Sequence, residues 1–322
     1  MIKQIRKVAV LGAGVMGSGI AAHLANAGIP SLLLDMVPRN PQEGEDTSGK
    51  AFRNKYAASA LQKLKKSRPP ALFTNKDLRL IEAGNFDDDL HRISECDWVV
   101  EVIIENLAIK QSLFAKIEEH RRPGTLITSN TSGLSIEGMQ EGRSDDFRKH
   151  FLVTHFFNPV RYMKLLELVP GAHTDPAAME LLARFGEDVL GKGIVYGKDT
   201  TNFIANRIGV YGMMKTMQAM QAGGYTVEEV DKVFGPATGR PKSAVFRTAD
   251  LVGLDTFAHV SKNCYDTLPD DEERDIFKLP DFATRSALVS AELRCLPISH
   301  SRSSIARATV VPAVSTARPW SR

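Results

Sequence analysis

Residues 7–35, KVAVLGAGVMGSGIAAHLANAGIPSLLLD, decide the fold of this chain. The apolar run VAVL at 8–11 predicts a short strand that is buried on both faces, as strands inside a parallel sheet are. The pattern G-x-G-x-x-G follows at once and opens a segment with the composition of a helix. SLLL at 31–34 then predicts a second strand, which ends at Asp35. The stretch therefore predicts a β-α-β unit.

The glycines of the turn, Gly12, Gly14 and Gly17, each meet a different requirement of dinucleotide binding. The first permits a tight turn, the second lets the backbone approach a pyrophosphate, and the third lets helix and strand pack closely. Val15 and Met16 begin the helix, whose free N–H groups and partial positive charge attract an anion. We therefore predict that these five residues contact a dinucleotide cofactor. The alternative is a glycine turn that only packs a helix on a sheet.

Asp35 lies where a carboxylate can accept hydrogen bonds from the hydroxyls of the adenine ribose. A carboxylate repels a 2′-phosphate, so Asp35 favours NAD over NADP as the cofactor. Arg39, four residues further on, leaves NADP open as an alternative.

Composition places the chain among ordinary soluble proteins large enough for two domains: 322 residues, 43% hydrophobic and 25% charged. A net charge of +3 gives no reason to expect nucleic acid as a partner. The cysteines, Cys96, Cys264 and Cys295, are few and widely spaced, which indicates a reducing compartment without a disulfide framework or a metal site. We find no membrane span and no secretory h-region, and predict a cytoplasmic protein. An import signal removed before this numbering stays open.

Strands and helices alternate after the first unit. Residues 78–82, 98–104, 125–128, 151–157, 163–169 and 192–196 read as strands. This alternation predicts an α/β protein with a Rossmann-like, doubly wound, mostly parallel sheet. Ligands of such sheets lie at the carboxyl ends of the strands, where Glu105 and Ser132 also fall.

From residue 203 onward the sequence predicts mainly helix, so a smaller all-α domain follows. We predict a dinucleotide-binding domain at 1–198, a helical domain for substrate binding and dimerisation at 199–282, and an irregular Ser/Arg-rich tail at 283–322. Met213, Met214, Met217 and Met220 recur at helical spacing, which indicates packing residues.

A basic helix is predicted at 50–66, where six lysines and arginines surround a narrow apolar face. Two interpretations of this face stay open. It is a solvated helix surface, or some of its cations meet a phosphate-rich ligand such as coenzyme A.

Among the eight histidines, His155 is best placed for acid–base chemistry beside a nicotinamide cofactor. It lies late in a predicted strand, and Glu167 follows twelve residues later on the next one. Asn158-Pro159 suggests a turn between them, so the two side chains can meet, and the carboxylate would then orient the imidazole. The alternative is a histidine that is only hydrogen-bonded in the core.

Five segments occur in the order seen in the 3-hydroxyacyl-CoA dehydrogenase family, which this chain resembles over residues 7–282. They are GAGVMGSGIA (12–21), VVEVIIEN (99–106), SNTSGLSI (129–136), HFFNPV with LLELV (155–160 and 165–169) and NFIANRI (202–208). The combination is much more specific than any one segment. The family usually ends in a G-W-x-G-x-K-type sequence that this chain lacks, and we expect its Ser/Arg-rich end to be truncated or out of frame.

The resemblance implies an NAD-dependent enzyme of fatty-acid β-oxidation that converts (S)-3-hydroxyacyl-CoA to 3-ketoacyl-CoA, of the EC 1.1.1.35 type. His155 would be the acid–base residue and Glu167 its partner. Ser132 and Asn206 would line the substrate site. The implied cofactor contacts are Asp35, Glu105, Lys110, Ser132 and Asn158. The helical domain of this family commonly makes a homodimer. The alternatives are a dehydrogenase of a 3-hydroxy acid without coenzyme A, and a non-catalytic NAD-binding relative with a truncated second domain.

Overall fold

The computed structural model describes residues 4–42 and 44–280. The chain divides into two compact units, one up to Phe203 and one from Ile204 onward. The predicted tail at 283–322 lies outside the described residues.

The first unit is built on an eight-stranded sheet. Its strands are β1 (Val8–Leu11), β2 (Ser31–Asp35), β3 (Ile81–Asn85), β4 (Trp98–Glu101), β5 (Leu126–Ser129), β6 (Phe151–Phe156), β7 (Leu165–Pro170) and β8 (Gly193–Tyr196). The spatial order is β3-β2-β1-β4-β5-β6-β7-β8. All neighbouring strands run parallel except β6 and β7. The prediction of a Rossmann-like, mostly parallel sheet is confirmed.

Helices flank this sheet and make up most of the described part of the second unit. In the first unit they are α1 (Val15–Asn26), α2 (Lys50–Arg53), α3 (Lys55–Lys66), α4 (Phe86–Asp89), α5 (Leu107–His120), α6 (Ile136–Met139), α7 (Asp145–Lys149) and α8 (Pro176–Arg184). In the second they are α9 (Ala205–Gly223), α10 (Val227–Val233), α11 (Phe246–Val252) and α12 (Leu254–Thr267). In the described ranges, no helix has both the length and the apolar character needed to cross a membrane.

Each central strand contributes to two hydrophobic cores, one on each face of the sheet. Val8 and Val10 of β1 belong to one core, while Ala9 and Leu11 belong to the other. Successive side chains of a strand point to opposite faces, so a strand covered by helices on both sides must be apolar throughout. This is why VAVL predicts its position so well.

The second unit has its own core, in which Met214 and Met217 are fully buried beside Phe246. The methionines of α9 therefore pack as predicted.

Two local predictions were wrong. Residues 78–82 were expected to form a strand, but Asn75–Leu80 is a 3₁₀ helix and the strand begins at Ile81. Thr74 and Asp77 form a capping box that starts this helix, so local capping prevails over the apolar character of the segment. The single helix expected at 50–66 is interrupted at Asn54, between α2 and α3.

Candidate active site

The glycine turn between β1 and α1 is as tight as the motif requires. Gly12 has φ +112°, and a Cβ atom there would lie 2.5 Å from the carbonyl oxygen of Val102. A Cβ atom on Gly17 would lie 1.8 Å from the carbonyl oxygen of Gly12, so only glycine lets the helix approach the strand. Gly14 faces open space.

Helix α1 begins after Gly14 without a side-chain cap, and the space beside Gly14 is open. The first N–H groups of α1 are therefore available to an anion, and the helix dipole favours negative charge there. Asp35, at the end of β2, accepts a hydrogen bond from the Ala13 N–H at 2.6 Å and another from the Met36 N–H at 2.6 Å. The turn thus brings a phosphate-type cradle and an acceptor for ribose hydroxyls together, which fits NAD.

His155 and Glu167 lie directly opposite each other on the antiparallel strands β6 and β7. The Nδ1 atom of His155 is 2.6 Å from Oε2 of Glu167, and both side chains are buried, with residue exposures of 4% and 0%. The contact that the spacing predicted between these two side chains is therefore present. With Nδ1 paired to a carboxylate, Nε2 is the nitrogen left to exchange a proton with a ligand.

Ser132 lies within hydrogen-bonding distance of that nitrogen, with Oγ 3.2 Å from Nε2 of His155. The rings of Phe157 and Phe203 contact the imidazole edge-on, at centroid distances of 4.5 and 5.7 Å. Because these two neighbours are apolar, it is the hydrogen bonds to Glu167 and Ser132 that fix the orientation of the imidazole ring.

Behind Ser132 lies a group of charged residues from the ends of β4 and α5. The carboxylate of Glu105 accepts hydrogen bonds from the hydroxyl of Thr131 and, at 3.0 Å, from the N–H of Ser132. The Nζ of Lys110, buried to 1% exposure, lies 3.4 Å from the other oxygen of Glu105. Glu105 and Lys110, predicted as cofactor contacts, thus hold the segment that carries Ser132.

Glu101 completes this group and was not predicted as a site residue. Its fully buried carboxylate receives hydrogen bonds from Lys110 Nζ at 2.6 Å, the Ile103 N–H at 2.7 Å and Ser129 Oγ at 2.5 Å. Burial raises the pKa of the Glu101 carboxyl, while Lys110 acts in the opposite direction. The signal was present in the sequence, because an acid inside the apolar run WVVEVII needs a buried partner.

We call the residues Glu101, Lys110, Glu105, Ser132, His155 and Glu167 the paired network. Hydrogen bonds and ion pairs link Glu101 to Ser132 through Lys110 and Glu105, and Ser132 to Glu167 through His155. Each carboxylate has at least one cation or hydrogen-bond donor. This arrangement is rigid and suited to exchanging a proton at one atom, His155 Nε2.

A second feature, which we call the basic cavity, has a volume of about 500 Å³ and lies beside the start of α1. Gly14, Val15 and Asn158 are part of its lining. Its charged lining residues are Lys63 of α3, Arg68 and Arg161, and no aspartate or glutamate is among the residues that line it. The cavity is therefore suited to an anionic ligand.

Asn206 is the second residue of α9 and belongs to the second unit. Its assignment to the substrate site stays a prediction. Of the other predicted residues, Ser132, His155, Glu167, Glu105 and Lys110 meet in the paired network, and Gly12, Gly14, Val15, Met16, Gly17 and Asp35 surround the glycine turn.

Family models match almost the whole described chain. One described as 3-hydroxyacyl-CoA dehydrogenase, NAD binding domain, matches residues 7–200, and one described as 3-hydroxyacyl-CoA dehydrogenase, C-terminal domain, matches residues 203–285.

Two curated relatives carry the name probable 3-hydroxyacyl-CoA dehydrogenase. The protein from Bacillus subtilis is 54% identical over 287 residues, which make up 88% of this chain and 36% of that protein. The protein from Deinococcus radiodurans is 48% identical over 271 residues, 84% of this chain and 75% of that protein. The chain thus spans little more than a third of the Bacillus relative.

A solved structure of a related enzyme is similar in fold. The crystal structure of (S)-3-hydroxybutyryl-CoA dehydrogenase from Ralstonia eutropha matches with a TM-score of 0.70 at 25% identity, covering 91% of this chain and 94% of that chain.

Proposed function

This chain belongs to the 3-hydroxyacyl-CoA dehydrogenase family, and we propose that it oxidises an (S)-3-hydroxyacyl-CoA to the 3-ketoacyl-CoA with NAD, as in fatty-acid β-oxidation. The observation that carries the proposal is the buried pair of His155 and Glu167 at the carboxyl end of the sheet. Parallel sheets bind their ligands at that end.

In the proposed reaction, Nε2 of His155 takes the proton of the 3-hydroxyl group. Bound NAD supplies the acceptor for the hydride that leaves C3. An alcohol does not release hydride readily while it keeps its proton, so the imidazole must act in the same step. Glu167 holds Nδ1–H and offsets the positive charge that forms on the ring. The reverse direction uses the same residues.

Ser132 is proposed to hydrogen-bond the substrate oxygen as well as His155. Its Oγ is already within 3.2 Å of Nε2, so an oxygen that approaches this nitrogen also approaches the hydroxyl. The family resemblance adds Asn206 as a second residue that orients the substrate, and the helical unit as a dimer interface.

For the cofactor we propose contacts with the residues at the glycine turn, with Asp35 on the adenine ribose. The uncapped start of α1 and the open space at Gly14 support this proposal. Because Asp35 carries a negative charge, we expect NAD rather than NADP.

The basic cavity supports a substrate with phosphate groups. Lys63, Arg68 and Arg161 offer three positive charges without a competing carboxylate in the lining. We propose that phosphates of coenzyme A bind there. Of the two interpretations of the basic residues at 50–66, this is the functional one, with Lys63 of α3 as the contributing cation.

The experiment is to mix the purified chain with NAD and 3-hydroxybutyryl-CoA, and to follow NADH by absorbance. We expect turnover of the (S) isomer and little with free 3-hydroxybutyrate. Equal rates with and without the coenzyme A part would contradict the assignment to a CoA substrate. Tight NADH binding without turnover of any 3-hydroxyacyl substrate would contradict the proposed reaction itself.

A further inference from the structure

Lys192 is a buried cation that no step of the proposed reaction uses. It directly precedes β8 and is 5% exposed. Its Nζ donates hydrogen bonds to two main-chain carbonyls, that of Val160 and, at 2.8 Å, that of Met163. Burial lowers the pKa of Lys192 to about 8, and among the described residues no carboxylate counteracts this effect.

A buried ammonium group without a carboxylate costs free energy, because the charge loses its hydration. A neutral side chain of similar size would fill the same space without this cost. The two carbonyls that accept its hydrogen bonds belong to the first and last residues of one turn, 160–163, so the ammonium group holds that turn at both ends.

Residues of turn 160–163 are hydrogen-bonded to a part of the chain that is remote in sequence. The Nη1 of Arg161 donates to the carbonyls of Pro70 and Leu72, each at 2.9 Å, and Tyr162 Oη donates to the Pro70 carbonyl at 2.9 Å. The guanidinium group also stacks on the ring of Phe73, at 4.2 Å from its centroid. These contacts join the turn to segment 70–73, and residues of both line the basic cavity.

We propose that Lys192 is a positioning residue for the basic cavity: by holding turn 160–163 at both ends, it keeps Arg161 and Tyr162 in the arrangement that receives a phosphate-bearing ligand. The inference rests on the proposed function, which supplies the ligand as coenzyme A. Lys192 itself does not need to touch that ligand.

In alkaline solution Lys192 changes its charge, whereas the neighbouring His23 does not. His23 of α1 has its Nε2 3.0 Å from the Leu190 carbonyl, and burial, then Lys192 and, more weakly, Arg161 lower the pKa of His23 to about 4. The imidazole is therefore neutral above that range. Raising the pH through about 8 removes the proton of Lys192 and weakens its hold on the turn.

Ligand binding is therefore linked to the protonation of Lys192. Below about pH 8 the ammonium group is charged and the turn is held, so the affinity for an anionic ligand is highest. Above that pH the affinity falls, because both the positive charge and the strong hydrogen bonds are lost.

The test uses acetyl-CoA as the probe, since it has no group that titrates in the alkaline range. Isothermal titration calorimetry of the full chain at about pH 7 and about pH 9.5 should give an affinity that falls severalfold with rising pH. Lys192→Met should bind about tenfold more weakly at the lower pH and show little further loss. Lys192→Arg should retain the affinity at high pH. Lys198→Met, which removes an exposed lysine after β8, should behave as the wild type.

Hydrogen–deuterium exchange measures the hold on the turn without any ligand. At one pH, a peptide spanning 159–164 should exchange faster in Lys192→Met than in the wild type and in Lys198→Met. Unchanged exchange, or faster exchange with unchanged affinity and pH dependence, would overturn the inference. If Lys192→Met does not fold, the wild-type pH dependence decides, and a flat affinity overturns it. A wild type that does not bind acetyl-CoA refutes the coenzyme A proposal, and the exchange result still decides whether Lys192 holds the turn.

Discussion

The paired network and the basic cavity belong to the same unit but differ in whether their charges are balanced. In the network, the carboxylates of Glu101 and Glu105 share Lys110, and Glu167 is paired with His155. In the cavity, three cations line the space and no carboxylate does. A site that is complete before the ligand arrives is suited to chemistry, while a site with unbalanced charge is suited to binding an anion.

The difference separates what each region should do when altered. Removing a member of the paired network leaves a buried group without its partner, which costs stability or rate. Removing a cation from the basic cavity relieves mutual repulsion in the free protein, so the loss should appear in ligand affinity.

The largest effect on stability is expected for Glu101→Gln, because of its two ion pairs Lys110 then keeps only the longer one, with Glu105. We predict that the free energy of unfolding falls by about 3 kcal/mol, the usual scale for breaking a buried ion pair. Urea denaturation would measure it. Glu82→Gln is the matched control, since Glu82 pairs with Arg92 at the surface and should cost less than about 1 kcal/mol. Equal losses in both variants would remove the distinction between buried and exposed pairs.

Asp35→Ala should weaken NADH binding about tenfold, with a smaller effect on the rate of the bound complex. The carboxylate is the proposed ribose acceptor, and it also holds the Ala13 N–H. NADH fluorescence titration measures the affinity. Asp35→Asn separates the two functions, because it keeps an acceptor but removes the charge, and should raise the affinity for NADPH relative to NADH. An unchanged NADH affinity in Asp35→Ala would refute the assignment.

A smaller effect is expected for Lys63→Met, which removes one of three cations from the basic cavity. The affinity for acetyl-CoA should fall about threefold at low ionic strength and less at high salt, because salt screens exposed charges. NADH affinity should fall less, because the proposed NAD site shares only Gly14, Val15 and Asn158 with the cavity lining. Lys116→Met, at an exposed position of α5 outside the cavity lining, is the control. A comparable loss in this control would mean that total charge, rather than the cavity, attracts the ligand.

The features that could be predicted from the sequence depend on short-range geometry. The glycine spacing predicted the turn at Gly12 and Gly17. The twelve-residue separation of His155 and Glu167 predicted two strands joined by a turn. Both predictions use rules that act over one β-α-β unit or one strand pair.

The features that were missed depend on long-range contacts or on local capping. Arg161 meets the carbonyls of Pro70 and Leu72 across about ninety residues, and no periodicity indicates such a contact. Thr74 and Asp77 signalled the 3₁₀ helix before β3, but the prediction followed the apolar residues of the segment instead. Glu101 could have been identified as a site residue, because a buried acid requires a partner.

The central claim is that Nε2 of His155 exchanges the substrate proton, with Glu167 behind it. The most direct measurement compares the wild type with His155→Gln, using NADH formation from 3-hydroxybutyryl-CoA and NADH binding on the same preparations. We predict unchanged NADH affinity and a rate that is lower by about two orders of magnitude or more. A variant that binds NADH and turns over the substrate at nearly the wild-type rate would contradict the claim.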